Sequence, residues 1–189
     1  DFDYTCNYQC PSCRTEVINW NNDVTFAPIN DRIAQRIKHQ VIDRIKNQPV
    51  LIRWAGGEPF ISRVYLDLFE YIILSGKSNI MNVIQTNGSY LRSKSHILER
   101  LAPHIKELRI SFDAATSDTY AQVRRNGIWS NLIDNVKHAL EILGPHKITA
   151  DFVVQSSGHQ RSFSGRVYLP PLLPLGGPPR PPAAGASPR

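Results

Sequence analysis

Short apolar runs alternate with helical stripes along residues 1–155, and this alternation restricts the fold more than any single motif does. Asp1–Thr5 alternates polar with aromatic residues, as a strand does. Pro28 and Asp31 announce a helix with Ile33, Ile37, Val41 and Ile45 on one stripe, stopped by Pro49. Val50–Ala55 reads as a buried strand. It is followed by a helix carrying Leu66, Leu68, Phe69, Ile72 and Ile73 and closing at Gly76. The cycle repeats with a strand at Met81–Thr86, a helix marked by Ile97, Leu98 and Leu101, and a strand at Glu107–Phe112. A short helix capped by Thr116, a longer one through Leu132, Val136, Leu140 and Leu143, and a strand at Ile148–Val154 complete it. Strands alternating with helices over short connections predict an α/β fold of parallel strands with right-handed crossovers. A doubly wound sheet and part of a TIM-like barrel share this pattern, and periodicity does not choose between them.

Four polar or glycine-bearing clusters fall just past strand ends: Cys6–Cys13, Gly56–Pro59, Thr86–Gly88 and Ser111–Asp113. In either architecture the carboxyl ends of the strands share one face, where such folds bind ligands. The first cluster uses every cysteine of the chain in a Cys-x3-Cys-x2-Cys run: Cys6, Cys10 and Cys13. Three thiolates can hold three irons of a [4Fe–4S] cube and leave the fourth iron open for a ligand that reacts. A closed zinc site wants a fourth donor, and the nearest histidine, His39, sits in an expected helix. A disulfide framework would strand one odd thiol. His39, His96, His104, His138 and His146 lie on or beside expected helices, none spaced with a cysteine. They read as solvated or core residues, and Trp54 and Trp129 as packing residues.

The bulk properties narrow the classes. With 189 residues, the chain supports one domain with a real core. The net charge of +6 is concentrated in residues 156–189, which carry four of the 22 basic residues and none of the 16 acidic ones. The remainder is close to neutral, so no nucleic-acid groove is expected. No apolar run approaches the ~20 residues of a membrane span. Cysteine usage points to a reducing compartment, hence a cytoplasmic protein.

The cysteine run resembles the cluster-binding signature of the radical S-adenosylmethionine (SAM) superfamily, with Ser12 where that signature usually has an aromatic residue. Gly56-Gly57-Glu58-Pro59 resembles the family's second motif, which receives the methionyl amino group of SAM. The resemblance extends to Thr86-Asn87-Gly88, and to Ser111-Phe112-Asp113 followed by a helix with Tyr120 and Arg124. It implies a [4Fe–4S] cluster on Cys6, Cys10 and Cys13. It also implies SAM contacts from Gly56, Gly57, Glu58, Asn87, Ser111, Asp113 and Arg124, with Ser111 at the ribose or carboxylate and Arg124 at the carboxylate. Arg125, adjacent, leaves that register open by one, and Gln155 occupies a possible fifth-strand contact. The implied function is reductive cleavage of SAM to a 5′-deoxyadenosyl radical that abstracts hydrogen from a peptide or a small cofactor precursor. An electron donor such as flavodoxin or ferredoxin is the implied partner. No catalytic acid or base is implied. The alternative is a metal- or cluster-binding interaction module without turnover.

The family core is a (βα)6 partial barrel, of which about five units are visible, and the SPASM/twitch-type members it most resembles carry further cysteines in a C-terminal extension. The domain reading is therefore an incomplete core at residues 1–155 and a disordered Pro/Gly/Arg-rich tail at residues 156–189. That tail holds eight prolines and five glycines and no Asp, Glu or Lys. The abrupt change predicts truncation, or a shift of reading frame near residue 156, and leaves the strand at Ile148–Val154 with an unpaired edge. The chain opens on Asp1 rather than Met, so its natural N-terminus is expected further upstream.

Overall fold

The computed structural model describes residues 2–14, 16–156 and 159–168. Five strands form one sheet in sequential order: β1 (Val50–Trp54), β2 (Ile80–Thr86), β3 (Ile105–Ser111), β4 (Ile148–Ser156) and β5 (His159–Tyr168). β1 to β4 are parallel, in registers such as Trp54↔Ile84, Thr86↔Ile110 and Ser111↔Asp151. The helices are α1 (Phe26–Arg36), α2 (Arg63–Ser75), α3 (Ser95–Leu101), α4 (Ser117–Val123) and α5 (Trp129–Leu143).

Alternation along the strands sends Trp54, Ile84, Leu108, Ile110, Ile148 and Ala150 to one face, all buried in the core. The helices cover that face, and packing runs from α1 to α2, α2 to α3 and α3 to α5, as in a single outer layer. A doubly wound sheet would carry helices on both faces. One helical layer over parallel strands is a segment of a TIM-like barrel. The opposite face presents Gln85, Glu107, Arg109, Ser111, Thr149 and Asp151.

Local chemistry sets the helix bounds. Ser62 caps α2 by accepting from the Tyr65 amide, and Gly76 closes it in the left-handed conformation. Thr116 caps α4, as expected. α1 starts earlier than Pro28 and Asp31 indicate, because Asp23 accepts from the Thr25 and Phe26 amides. At its other end α1 runs into a π-helical turn, Ile37–Ile42. The wider turn rotates the apolar stripe. Val41 is 49% exposed, while Lys38 is buried and ion-paired to Asp67 at 2.7 Å.

The two ends of the chain depart from expectation. Residues 2–5 join no ladder of the sheet. They lie against the loop after β1, held by the Glu58 amide donating to the Thr5 carbonyl at 2.7 Å. The edge of β4 is not bare, because β5 returns antiparallel along it from Thr149↔Tyr168 onwards. An edge strand offers unpaired backbone donors and acceptors, and that demand outweighs the polar composition of residues 159–168. The proline-rich run from residue 169 lies outside the described residues, as does the side chain of Gln155. Among the described residues, no helix is long and apolar enough to cross a membrane.

Candidate functional site

The cysteine segment is pinned at three points. Cys6 bridges Ile18 in antiparallel fashion, its amide donating to the Ile18 carbonyl at 2.7 Å. The Cys10 carbonyl accepts from the amides of Cys13 and Arg14, both at 2.9 Å, which folds the second half into a turn. The Gln9 amide donates to the Arg125 carbonyl at 3.1 Å, and Tyr8, buried inside the segment, meets the Tyr120 hydroxyl of α4 at 3.3 Å. Gly127 closes this contact: a Cβ there would come within 2.7 Å of the Tyr120 ring and 3.1 Å of Tyr8.

Each sulfur has an N–H donor aimed at it. Asn87 Nδ2 stands 3.8 Å from Cys6 Sγ, Arg124 Nη1 stands 3.6 Å from Cys10 Sγ, and Arg14 Nη2 stands 3.4 Å from Cys13 Sγ. Cys6 and Cys10 are buried and Cys13 is exposed. Burial pushes the Cys6 thiol up from its ordinary value.

The Gly56–Pro59 loop braces this segment. Both glycines have positive φ, 92° at Gly56 and 56° at Gly57. A side chain at Gly57 would strike the Thr5 carbonyl and come within 3.0 Å of the Asp3 carbonyl. Glu58 has no exposed surface. Its Oε1 accepts from the Thr86 hydroxyl at 2.7 Å and the Phe60 amide at 3.1 Å, and its Oε2 accepts from the Asn87 amide at 2.6 Å. Burial raises the Glu58 carboxyl despite these donors. The carboxylate therefore ties the end of β2 to the loop after β1. Asn87 continues the chain of contacts, its Nδ2 also donating to Asn7 Oδ1 at 3.0 Å.

At the end of β3, Ser111 Oγ accepts from Gln85 Nε2 at 2.9 Å. Asp113 has a φ of 55°, in the left-handed region. Its Oδ1 accepts from the Val153 amide at 2.9 Å and its Oδ2 meets Arg124 Nη2 at 2.6 Å. Asp113 and Cys10 hold the guanidinium above its usual value against the pull of burial. Arg124 is thus the arginine turned toward the cysteines, and Arg125 is exposed. Among the described residues, two buried atoms beside these groups have no hydrogen-bond partner, Arg124 Nε and Asp151 Oδ1.

Of the residues singled out in the sequence, Cys6, Asn87 and Glu58 form one connected set, and Cys10, Arg124 and Asp113 another. Ser111 pairs with Gln85 rather than joining either set. Asn7, Tyr8, Arg14 and Gln85 were not singled out, and Thr86 only as part of the Thr86–Gly88 cluster. Tyr8 and Asn7 lie between the first two cysteines, which is a usable signal, whereas Gln85 looks like an ordinary strand residue. Among the described residues, no three or more His, Cys, Asp or Glu are gathered closely enough to hold one metal ion.

A Radical SAM superfamily model matches residues 3–154, and a model described as Protein of unknown function (DUF2844) matches residues 136–179. The GTP 3′,8-cyclase of Marinobacter nauticus is 26% identical over 135 residues, covering 71% of this chain and 38% of the relative. That of Petrotoga mobilis is 31% identical over 98 residues, covering 51% and 29%. That of Desulforamulus reducens is 23% identical over 172 residues, covering 90% and 50%. The chain spans half or less of the length of these relatives. With the superfamily model running from residue 3 to residue 154, within β4, this chain belongs to the radical SAM superfamily.

Proposed function

We propose that residues 1–155 form a radical SAM core that holds a [4Fe–4S] cluster on Cys6, Cys10 and Cys13 and cleaves SAM reductively. Superfamily members use that cluster and SAM. The donor set fits the cluster. A cube takes one sulfur per iron, which spreads its ligands. The observation that carries the reading is the N–H donor facing each of the three sulfurs, from Asn87, Arg124 and Arg14. Such donors stabilise thiolate and cluster charge.

Bound together, cluster and SAM supply one chemistry: an electron breaks a sulfonium carbon–sulfur bond, giving methionine and a 5′-deoxyadenosyl radical that takes a hydrogen atom from substrate. The protein's task is to bind, orient and exclude water. The backbone at Gly56 and Gly57 is the part of the second motif available to the methionyl amino group, since Glu58 has no exposed surface. Arg124, with Nε free of a partner, offers a donor to the carboxylate. Ser111, with Gln85, offers hydroxyl and amide groups to the ribose, Asn87 positions the Cys6 side, and Asp113 holds Arg124.

The matched relatives are named as GTP 3′,8-cyclases, which favours a small-molecule substrate, a purine nucleotide, over a peptide. A low-potential carrier such as flavodoxin or ferredoxin would bring the electron. A second reading is a cluster-binding homologue without turnover. Anaerobic reconstitution with iron and sulfide, followed by assay of 5′-deoxyadenosine release under reductant, tests both readings. A cluster with release supports the enzyme, and a cluster without release supports the second reading. Zinc taken up in preference to the cluster, or a cluster retained when any of the three cysteines is replaced by Ala, refutes both.

A further inference from the structure

Arg14 follows the last cysteine directly and reaches back across the whole segment. Its Nη1 donates to the Tyr4 carbonyl at 2.6 Å and its Nη2 to Cys13 Sγ at 3.4 Å. Tyr4 stands two residues before Cys6, so one planar guanidinium joins the start of the thiol-bearing segment to its end. A planar fork with donors on separate nitrogens can make both contacts at once, which an ammonium cannot do with fixed geometry.

The second guanidinium at the site is placed differently. Arg124 touches Cys10, but its charge is matched by Asp113 at 2.6 Å. Among the described residues, Arg14 makes no ion pair with a carboxylate, and its charge interacts favourably with Cys6, Cys10 and Cys13 alike. Two nearby opposite charges largely cancel at a distance, whereas an unmatched one does not. Arg14 is therefore the cation whose field acts on all three sulfurs. It also lies beside Cys13, the exposed thiol of the three.

We infer that Arg14 is a positioning residue for the cluster: it straps the segment closed between Tyr4 and Cys13, and its unmatched charge favours the cluster's reduced form. The inference rests on the functional reading above. Reduction adds one electron to a centre already ligated by three thiolates and releases nothing, so the added negative charge must be met by the surroundings. A cation and an N–H···S contact on one of the ligating sulfurs both favour that more negative form.

The test is an EPR-monitored redox titration of the anaerobically reconstituted protein, with Arg14→Gln and Arg14→Lys alongside. Arg14→Gln keeps an N–H donor and removes the charge. At one poised potential, its ratio of reduced to oxidised cluster should fall about tenfold, which for one electron is about 59 mV. Arg14→Lys keeps the charge and loses the two-point strap. It should hold the parent's ratio within about threefold but surrender iron to a chelator several-fold faster. An unchanged ratio in Arg14→Gln, or an equal fall in both variants, overturns the inference while leaving the functional reading intact. Absence of any cluster in the parent overturns the functional reading itself, and this inference with it.

Discussion

Asp113 and Arg124 meet at 2.6 Å across the gap between the end of β3 and the end of α4, with side-chain exposures of 5% and 14%. Asp113 holds its backbone in the left-handed region to do so. Asn tolerates that conformation nearly as well as Asp does. Asp113→Asn therefore removes the charge without adding strain, and leaves a buried guanidinium unpaired. Stability should fall by about 3 kcal/mol, the order found when one partner of a buried pair is removed. Urea unfolding measures it, and a loss below about 1 kcal/mol would show that Arg124 finds its counter-charge elsewhere, with Cys10 the candidate.

Two glycines with similar φ should respond differently to alanine. At Gly57 (φ 56°) a Cβ collides with the Thr5 carbonyl, while at Gly76 (φ 63°) nothing lies within 4 Å. Gly76→Ala should cost about 1 kcal/mol, the conformational term alone. Gly57→Ala adds steric conflict with the stretch leading into Cys6, and should cost about 3 kcal/mol. Thermal unfolding separates the two, and reconstituted iron content should drop in Gly57→Ala only.

The three thiols should differ in reactivity in the reduced, metal-free chain. Cys13 is exposed, whereas Cys6 is buried and its thiol is raised by that burial. The thiolate is the nucleophile, and each unit of upward shift removes about tenfold of it near neutral pH. Timed alkylation read by peptide mass spectrometry should label Cys13 at least about tenfold faster than Cys6. Equal rates would mean that the segment opens as a whole.

Glu58 makes stability depend on pH. Burial lifts its carboxyl above the ordinary value of 4.5, so the folded chain holds that proton more tightly than the unfolded chain. The resulting stabilisation is complete below that ordinary value and is lost as pH rises through the folded-state value. As pH rises above that ordinary value, unfolding free energy should decline in the parent, and Glu58→Gln should remove this part of the slope. An identical slope in the two proteins would show that Glu58 is ionised when folded.

Much of the fold was legible because it follows period and punctuation. The strands at Val50, Met81, Glu107 and Ile148 and the helices between them declare themselves by local apolar spacing, and the clusters at their ends follow from strand direction. The choice of a barrel segment was not legible, because it depends on which sheet face the helices share. Nor was the π-turn at Ile37–Ile42, which exchanges Val41 for Lys38 on the inner side. At the site, residue identity marked Glu58 and Asp113 as polar groups at strand ends. It did not show that Thr86, Phe60 and Asn87 occupy the first carboxylate, or that Val153 and Arg124 occupy the second. Those partners are 2 to 40 residues away in sequence and are chosen by packing.

The order of synthesis has a cost for the thiols. Cys6 leaves the ribosome before Asn87, which faces its sulfur and follows 81 residues later, and Arg124, which faces Cys10, follows 114 residues after that cysteine. Until both arrive, the nascent segment has no walls, and its sulfurs stand open to oxidants and stray metal.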